Sequence, residues 1–178
     1  GAADSFDVVA YHFHAGYQNR VTDHDNQSGG PWDAWGGGVG GKAGFLRQWM
    51  AGYGVVKPVF LNETGMGCPA YFTWCLLPTE AFDQMQATFL VRSFVRGWSA
   101  HITGFFWFTL EAIGWRQTGL LDSNLNPKPV YLAYQHLTHQ LQQAQYTRAV
   151  DYGEGIEAYA FRRGLDEVHI AWAQTDQV

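Results

Sequence analysis

The sequence predicts an α/β fold: a parallel sheet built from about three βα units, followed by a C-terminal β-hairpin. Short apolar segments rich in β-branched and aromatic residues alternate with longer segments whose apolar residues recur at helical spacing. Matching positions in the strand-like segments, His12, Phe60 and Trp107, lie 48 and 47 residues apart. Repeats of this length are typical of βα units with long loops, which form parallel sheets through right-handed crossovers.

The first half of the chain contains two predicted strands and one helix. Phe6–Phe13 (FDVVAYHF) is a predicted strand, and Asn19–Gly41 is a long loop rich in Gly, Asp and Asn. Lys42–Tyr53 places its apolar residues at helical spacing. Lys57–Asn62 is the second predicted strand, and Thr64–Pro78 is predicted to be another loop.

The longest predicted helix is Thr79–Ser99, for which Thr79 would be the N-cap. Thr103–Leu110 (TGFFWFTL) is apolar on both faces, which is typical of a buried parallel strand. Asn126–Gln143 opens with two prolines near the position where a helix start tolerates them. The third βα unit is therefore predicted to be complete.

The hydrophobic period changes after this helix. Ile156–Arg162 and Val168–Ala173 have the pattern of antiparallel strands on either side of a turn. We therefore divide the chain into residues 1–145, which hold the βα units, and residues 146–178, which hold a β-hairpin extension.

Composition argues against several classes of protein. The chain has 178 residues, a formal net charge of −5 and no Lys/Arg cluster, which disfavours nucleic-acid and membrane-surface partners. No apolar run reaches the roughly 18 residues of a membrane helix, and no signal-peptide pattern is visible. Eight tryptophans favour a site where rings stack on the flat faces of sugars.

Cysteine usage leaves the cellular compartment open. Cys68 and Cys75 do not have the spacing of a zinc site. They form either a short-loop disulfide, which would suit a secreted protein, or two free thiols. The segment that starts at Asp23 resembles the start of a calcium loop, but Ser28 and Ala34 replace the Gly and Glu that such a loop needs. We therefore predict no metal site and no cofactor.

Candidate functional residues follow from the direction of the strands. In parallel βα architectures, ligands bind at the carboxyl ends of the strands. The first predicted strand ends at His12-Phe13-His14, and the second ends at Asn62-Glu63-Thr64-Gly65. The third carries Trp107 and is followed by Glu111. A carboxylate at a buried strand end is costly unless it is hydrogen-bonded, so Glu63 is the leading candidate.

These motifs resemble those of a known family. Lys57–Gly65 (KPVFLNETG) is similar to the seventh-strand nucleophile motif of clan A retaining glycoside hydrolases, the (β/α)8-barrel enzymes that include cellulases, β-mannanases and β-xylosidases. His12-Phe13-His14 resembles the sixth-strand His-x-Tyr, and Gly104–Leu110 resembles the eighth strand. Gly119–Asp122 and Asn126–Tyr131 resemble the segment before the last barrel helix, so the resemblance covers about residues 5–143. It implies a partial TIM barrel that contains strands six to eight.

The resemblance also implies roles for individual residues. Glu63 would be the nucleophile, Trp107 would form the floor of the −1 sugar subsite, and His14, in place of the family's Tyr, would hydrogen-bond Glu63. A protonated His14 would pair more strongly with Glu63 than a Tyr does. The predicted substrate-binding set is His12, His14, Trp107, Trp32, Trp35 and Trp115.

The second carboxyl group of a retaining site is not evident. In the family, the acid/base Glu follows an Asn at the end of the fourth strand, and the Asn-Glu pair of this sequence is already used at Asn62-Glu63. Glu111 is the candidate that remains after the third strand. A complete barrel also needs about 200–250 residues, more than the sequence has.

Two functions of different class therefore stay open. The first is a glycoside hydrolase that acts on β-linked oligo- or polysaccharides by a retaining mechanism. The second is an incomplete barrel that binds carbohydrate or self-assembles, without a complete active site of its own. The predicted partners are a saccharide and either further copies of the chain or a complementary barrel segment.

Overall fold

The computed structural model describes residues 2–18, 23–25, 30–68, 80–111 and 116–174. Its helices and strands alternate as the sequence predicts, and the α/β fold class, with a three-stranded parallel sheet and a separate antiparallel sheet, is confirmed. Along the chain, the main elements are β1 (Val9–Gly16), α1 (Lys42–Gly52), β2 (Val59–Gly67), α2 (Glu80–Ser99), β3 (Gly104–Trp107), α3 (Pro129–Leu141), β4 (Gln145–Val150), β5 (Ile156–Arg163) and β6 (Asp166–Ala173).

The parallel sheet has the order β1-β2-β3 and carries α1 and α2 as crossovers. Strand β2 extends to Gly67, beyond the predicted end at Asn62, so the first four residues of the predicted loop Thr64–Pro78 are strand. Glycine is unfavourable in strands, but Gly65 and Gly67 pair with His14 and Gly16 in the carboxyl half of β1. Before α1 lie short helical turns at Ala2–Ser5, Asp33–Trp35 and Gly37–Gly41.

The extension is an antiparallel sheet in the order β4-β5-β6. The predicted hairpin corresponds to β5 and β6, and β4 adds a strand that the sequence analysis did not find. Most residues of β4 (QYTRAV) are exposed, with Tyr146 and Val150 half-buried, so the segment lacks the apolar alternation that marks a strand.

Two clusters of buried side chains hold the domain together. One lies between the parallel sheet and the helices that cover it and includes Phe13, Leu61 and Phe89. The other joins α2 and α3 to the antiparallel sheet and includes Leu137 of α3 and Phe161 of β5. The extension therefore packs on the helical face of the parallel sheet rather than standing apart from it.

Arg96 forms the polar part of this contact. From α2, its guanidinium pairs with Asp23 at 2.6 Å and Asp25 at 2.7 Å, in the segment after β1. Its Nε also donates to Glu157 of β5 at 2.7 Å. Tyr159 donates a further hydrogen bond to Glu157 at 2.6 Å. The acidic residues that suggested a calcium loop are thus ion-pair partners of Arg96.

Two further expectations concern cysteines and membranes. Cys68 is disulfide-bonded; the other cysteine of the sequence, Cys75, lies outside the described residues, as does the predicted N-cap Thr79. Among the helices in the described part of the chain, none is long and apolar enough to span a bilayer.

The Arg96 cluster predicts a pH-dependent stability. Burial raises the pKa of Asp25 to about 7, against the opposing charge of Arg96. The folded state therefore holds a proton on Asp25 that the unfolded state has already lost above its ordinary pKa of 3.8. Wild-type stability should fall as the pH rises from about 5 to about 8, and Asp25→Asn should remove that fall. Thermal unfolding followed by circular dichroism measures both.

Asp23→Asn is the control variant, because the pKa of Asp23 is shifted in the opposite direction to that of Asp25. Burial acts to raise the pKa of Asp23, but the hydrogen bonds and charge of Arg96 outweigh it and lower that pKa. The Asp23 carboxylate thus adds stability above its unfolded pKa and loses it as the pH falls. Asp23→Asn should lower the unfolding temperature at neutral pH. A wild-type unfolding temperature that is constant between the two pH values would contradict the assignment for Asp25.

Candidate active site

The two faces of β1 have different environments. Tyr11, Phe13 and Ala15 belong to, or pack against, the buried cluster under the helices. Because side chains alternate along a strand, His12 and His14 lie on the opposite face, which would line the inside of a barrel. We call this the inner face.

Glu63 reaches the inner face through an irregularity in strand pairing. Tyr11 pairs with Leu61, but the next residue, His12, pairs with Glu63 rather than Asn62. The extra residue reverses the alternation of β2, and Asn62 is exposed at the bulge. Glu63 consequently shares a face with His12 and His14, level with the carboxyl end of β3, and β1 and β2 continue four residues beyond His12 and Glu63.

The three side chains converge on one carboxylate oxygen. His12 Nδ1 and His14 Nε2 each lie 3.4 Å from Glu63 Oε2. Their side chains are partly exposed, at 52% for His12, 21% for His14 and 35% for Glu63. A small molecule can therefore reach the Glu63 carboxylate from the inner face.

The protonation state of His14 differs from the sequence expectation. Burial lowers the pKa of His14, and the hydrogen bond and negative charge of Glu63 offset that effect only in part. His14 is therefore neutral near pH 7, not the protonated partner that the sequence analysis considered. A neutral imidazole still donates one N–H, so His14 can orient the carboxylate without adding a charge.

Lys42 links Trp32 to the cluster. Its ammonium donates a hydrogen bond to the carbonyl oxygen of His12 at 3.0 Å and lies 4.5 Å from the centre of the Trp32 ring. Trp32 is thus connected through Lys42 to the middle of β1.

The structure brings Phe108, rather than Trp107, to the cluster. Trp107 packs against Phe89 of α2 with ring centres 6.0 Å apart, and its Nε1 donates to the Thr118 carbonyl at 2.9 Å. Phe108 is the next residue and meets the His14 ring edge-on at 5.8 Å. The sequence could not separate the two, because Thr103–Leu110 is apolar on both faces; in the structure Trp107 pairs with Thr64 and lies on the helical side of the sheet.

The remaining predicted residues, Trp35, Glu111 and Trp115, either have other contacts or fall outside the described residues. Trp35 packs against Phe45 of α1 and lines a surface hollow on that helix with Trp49 and Tyr53. Glu111 is exposed beyond β3, where its backbone bridges to Leu121. Trp115 lies outside the described residues.

Comparison with known proteins gives a result at the level of fold. The sequence matches no family model and no curated protein. Among solved structures, it is similar to a family 39 glycoside hydrolase from the gut symbiont Bacteroides cellulosilyticus WH2, with a TM-score of 0.66 and 19% identity. That match covers 93% of this chain and 34% of the hydrolase.

A second match is more distant. An FMN-binding beta-glucuronidase from Facaelibacterium prausnitzii L2-6 has a TM-score of 0.38 and 10% identity, over 95% of this chain and 36% of that one. The chain therefore has a glycoside hydrolase-like fold and spans about a third of the length of the family 39 enzyme that it matches.

Gly65 lies where the backbones of β2 and Phe108 approach each other closely. A Cβ at Gly65 would lie 2.7 Å from the carbonyl oxygen of Phe108, too close for β2 and the Phe108 backbone to keep their positions. Gly65→Ala should lower the free energy of unfolding by about 1–3 kcal/mol. Chemical denaturation measures the change.

Gly52→Ala is the matched control. No heavy atom lies within 4 Å of a Cβ at Gly52, at the end of α1, and its backbone has ordinary helical geometry. This variant should be neutral or up to about 1 kcal/mol more stable. Equal stability of the two variants would mean that the approach of Phe108 to Gly65 is not tight.

Proposed function

We propose that the chain carries the nucleophile half of a retaining glycoside hydrolase that acts on β-linked glycosides. The observation that carries the proposal is the convergence of His12 and His14 on Glu63, level with the carboxyl end of β3 in a parallel sheet with a glycoside hydrolase-like fold. Ligands meet this end of the strands in βα barrels.

Glu63 is the proposed nucleophile. In a retaining reaction, a carboxylate attacks the anomeric carbon and forms a covalent glycosyl-enzyme that water then hydrolyses. Both histidine nitrogens contact Oε2 of Glu63, so Oε1 is the oxygen that we assign to the attack. The histidines would fix the orientation of the carboxylate, as positioning residues.

We assign the aromatic contact with the sugar at the nucleophile to Phe108 instead of Trp107. The Phe108 ring lies beside His14 on the inner side of the sheet, whereas Trp107 packs against Phe89 of α2. Trp32, next to Lys42, is a candidate contact for a neighbouring sugar unit. The substrate is then an oligo- or polysaccharide, with rings that stack on these side chains.

A retaining site also needs an acid/base carboxyl about 5–5.5 Å from the nucleophile. Glu111 is our candidate within the chain, because it follows β3 and its side chain is exposed. The alternative donor is a carboxyl group from another copy of the chain or from a complementary barrel segment.

The nucleophile assignment predicts a covalent intermediate. A 2-fluoroglycoside with an activated leaving group should add one glycosyl unit to the wild-type protein, located at Glu63 by peptide mass spectrometry. Glu63→Gln should show no adduct and lose at least about a thousandfold in turnover of aryl β-glycosides, because the amide is a far weaker nucleophile.

Two further variants control this measurement. Glu154→Gln removes an exposed carboxylate in the extension and should react like wild type. Glu111→Gln should still form the adduct with an activated substrate but hydrolyse poor leaving groups more slowly, if Glu111 is the acid. Equal turnover by wild type and Glu63→Gln, without an adduct, would rule out the proposed mechanism.

A second candidate function is a carbohydrate-binding or self-assembling barrel segment. It is favoured by the exposure of Phe106, which is 52% exposed and contacts Phe60 across the inner side of the sheet. In the sheet as described, β1 and β3 also each pair with a strand on one side, which leaves backbone groups available for pairing. Association of copies would cover both features.

Self-assembly predicts a mass that depends on concentration. Analytical ultracentrifugation should give a weight-average mass above the 20.0 kDa of one chain, rising with concentration. Phe106→Glu should reduce association, because it places a charge in the covered surface. Leu165→Glu, at an exposed turn of the extension, should associate like wild type. A wild-type protein that stays monomeric at all concentrations would exclude this candidate.

A further inference from the structure

The spacing of His12, His14 and Glu63 is unusual for hydrogen bonds. Each histidine nitrogen lies 3.4 Å from the same Oε2 atom, and one ligand atom of each residue lies within 4.8 Å of the others. Good N–H···O hydrogen bonds have donor–acceptor distances of about 2.7–3.2 Å. The contacts of both histidines with Glu63 are therefore longer than strong hydrogen bonds.

The two nitrogen–oxygen spacings match the ligand shell of a small metal ion, and all three ligand atoms lie within 4.8 Å of one another. Zinc binds histidine nitrogen and carboxylate oxygen at about 2.0–2.2 Å, so in a tetrahedral site the ligand atoms are about 3.3–3.5 Å apart. Both nitrogen–oxygen distances here are 3.4 Å.

The types of ligand limit the ion. Two imidazoles and one carboxylate suit Zn²⁺ and its first-row neighbours, whereas Ca²⁺ and Mg²⁺ prefer oxygen ligands throughout. Because His12 is 52% and Glu63 35% exposed, water can complete the coordination on the open side. This is the arrangement of an open site rather than a closed structural one.

The backbone holds the ligands in place. His12 is paired directly with Glu63, and His14 with Gly65, so all three ligands lie on two hydrogen-bonded strands. The Lys42 ammonium donates a hydrogen bond to the carbonyl oxygen of His12 at 3.0 Å. The Lys42 charge opposes a nearby cation and should limit the affinity.

We propose that His12, His14 and Glu63 form a binding site for one divalent transition-metal ion of the Zn²⁺ class. Metal binding itself does not depend on the hydrolase proposal. One consequence does rest on it: an ion bound to the Glu63 carboxylate would occupy the nucleophile, so Zn²⁺ would inhibit glycoside hydrolysis.

Cobalt binding tests the site without any sugar. Untagged, chelator-treated protein is titrated with Co²⁺, and visible d–d bands report the number of ions bound and their coordination. We expect one Co²⁺ per chain, displaced by Zn²⁺. His12→Asn, His14→Asn and Glu63→Gln should each weaken binding at least about tenfold. His139→Asn, on the exposed side of α3, should bind like wild type.

The outcomes separate this site from the proposed hydrolase. Circular dichroism of each variant verifies that a loss of binding is not a loss of fold. Cobalt binding that is absent in wild type, or unchanged in the three ligand variants, would overturn the metal site. Binding without turnover of any glycoside would support the metal site and contradict the hydrolase, and turnover without binding would do the reverse.

Discussion

The shifted register between β1 and β2 is the constraint on which the site depends. If the pairing of Tyr11 with Leu61 continued unshifted, Glu63 would lie opposite Phe13 and face the apolar cluster under the helices. A slip of one residue moves a strand's side chains to the other face, and a buried unpaired carboxylate is costly. The bulge at Asn62 avoids that cost and joins Glu63 to His12 and His14 on the inner face.

The other face of the same sheet packs against the helices. Trp107 and Phe89 fill the space between β3 and α2, and Arg96 of the same helix reaches both the segment after β1 and Glu157 of β5. Packing and ion pairs on this face therefore stabilise the strand ends that position the inner face. The likeness to a family 39 glycoside hydrolase extends over 93% of the chain and so includes the antiparallel extension.

Much of this arrangement could be predicted from sequence because it depends on periodicity. The spacing of the βα units and the presence of His12 and Glu63 on neighbouring strands need no knowledge of tertiary contacts, although both strands continue four residues beyond these positions. The bulge was invisible, since one extra residue at Asn62 leaves no mark in composition. Trp107 was assigned from the resemblance of Gly104–Leu110 to an eighth barrel strand, and a strand that is apolar on both faces does not show in its sequence which face is the inner one. Strand β4 was missed because its residues are mostly exposed and its order comes from pairing with β5.

An experimental crystal structure tests the central claim most directly, because the claim is geometric. We predict the Glu63 carboxylate on the same face as His12 and His14, with Oε2 about 3.4 Å from His14 Nε2. Continuous pairing that puts Asn62 opposite His12 and turns Glu63 toward Phe13 and α2 would contradict the account.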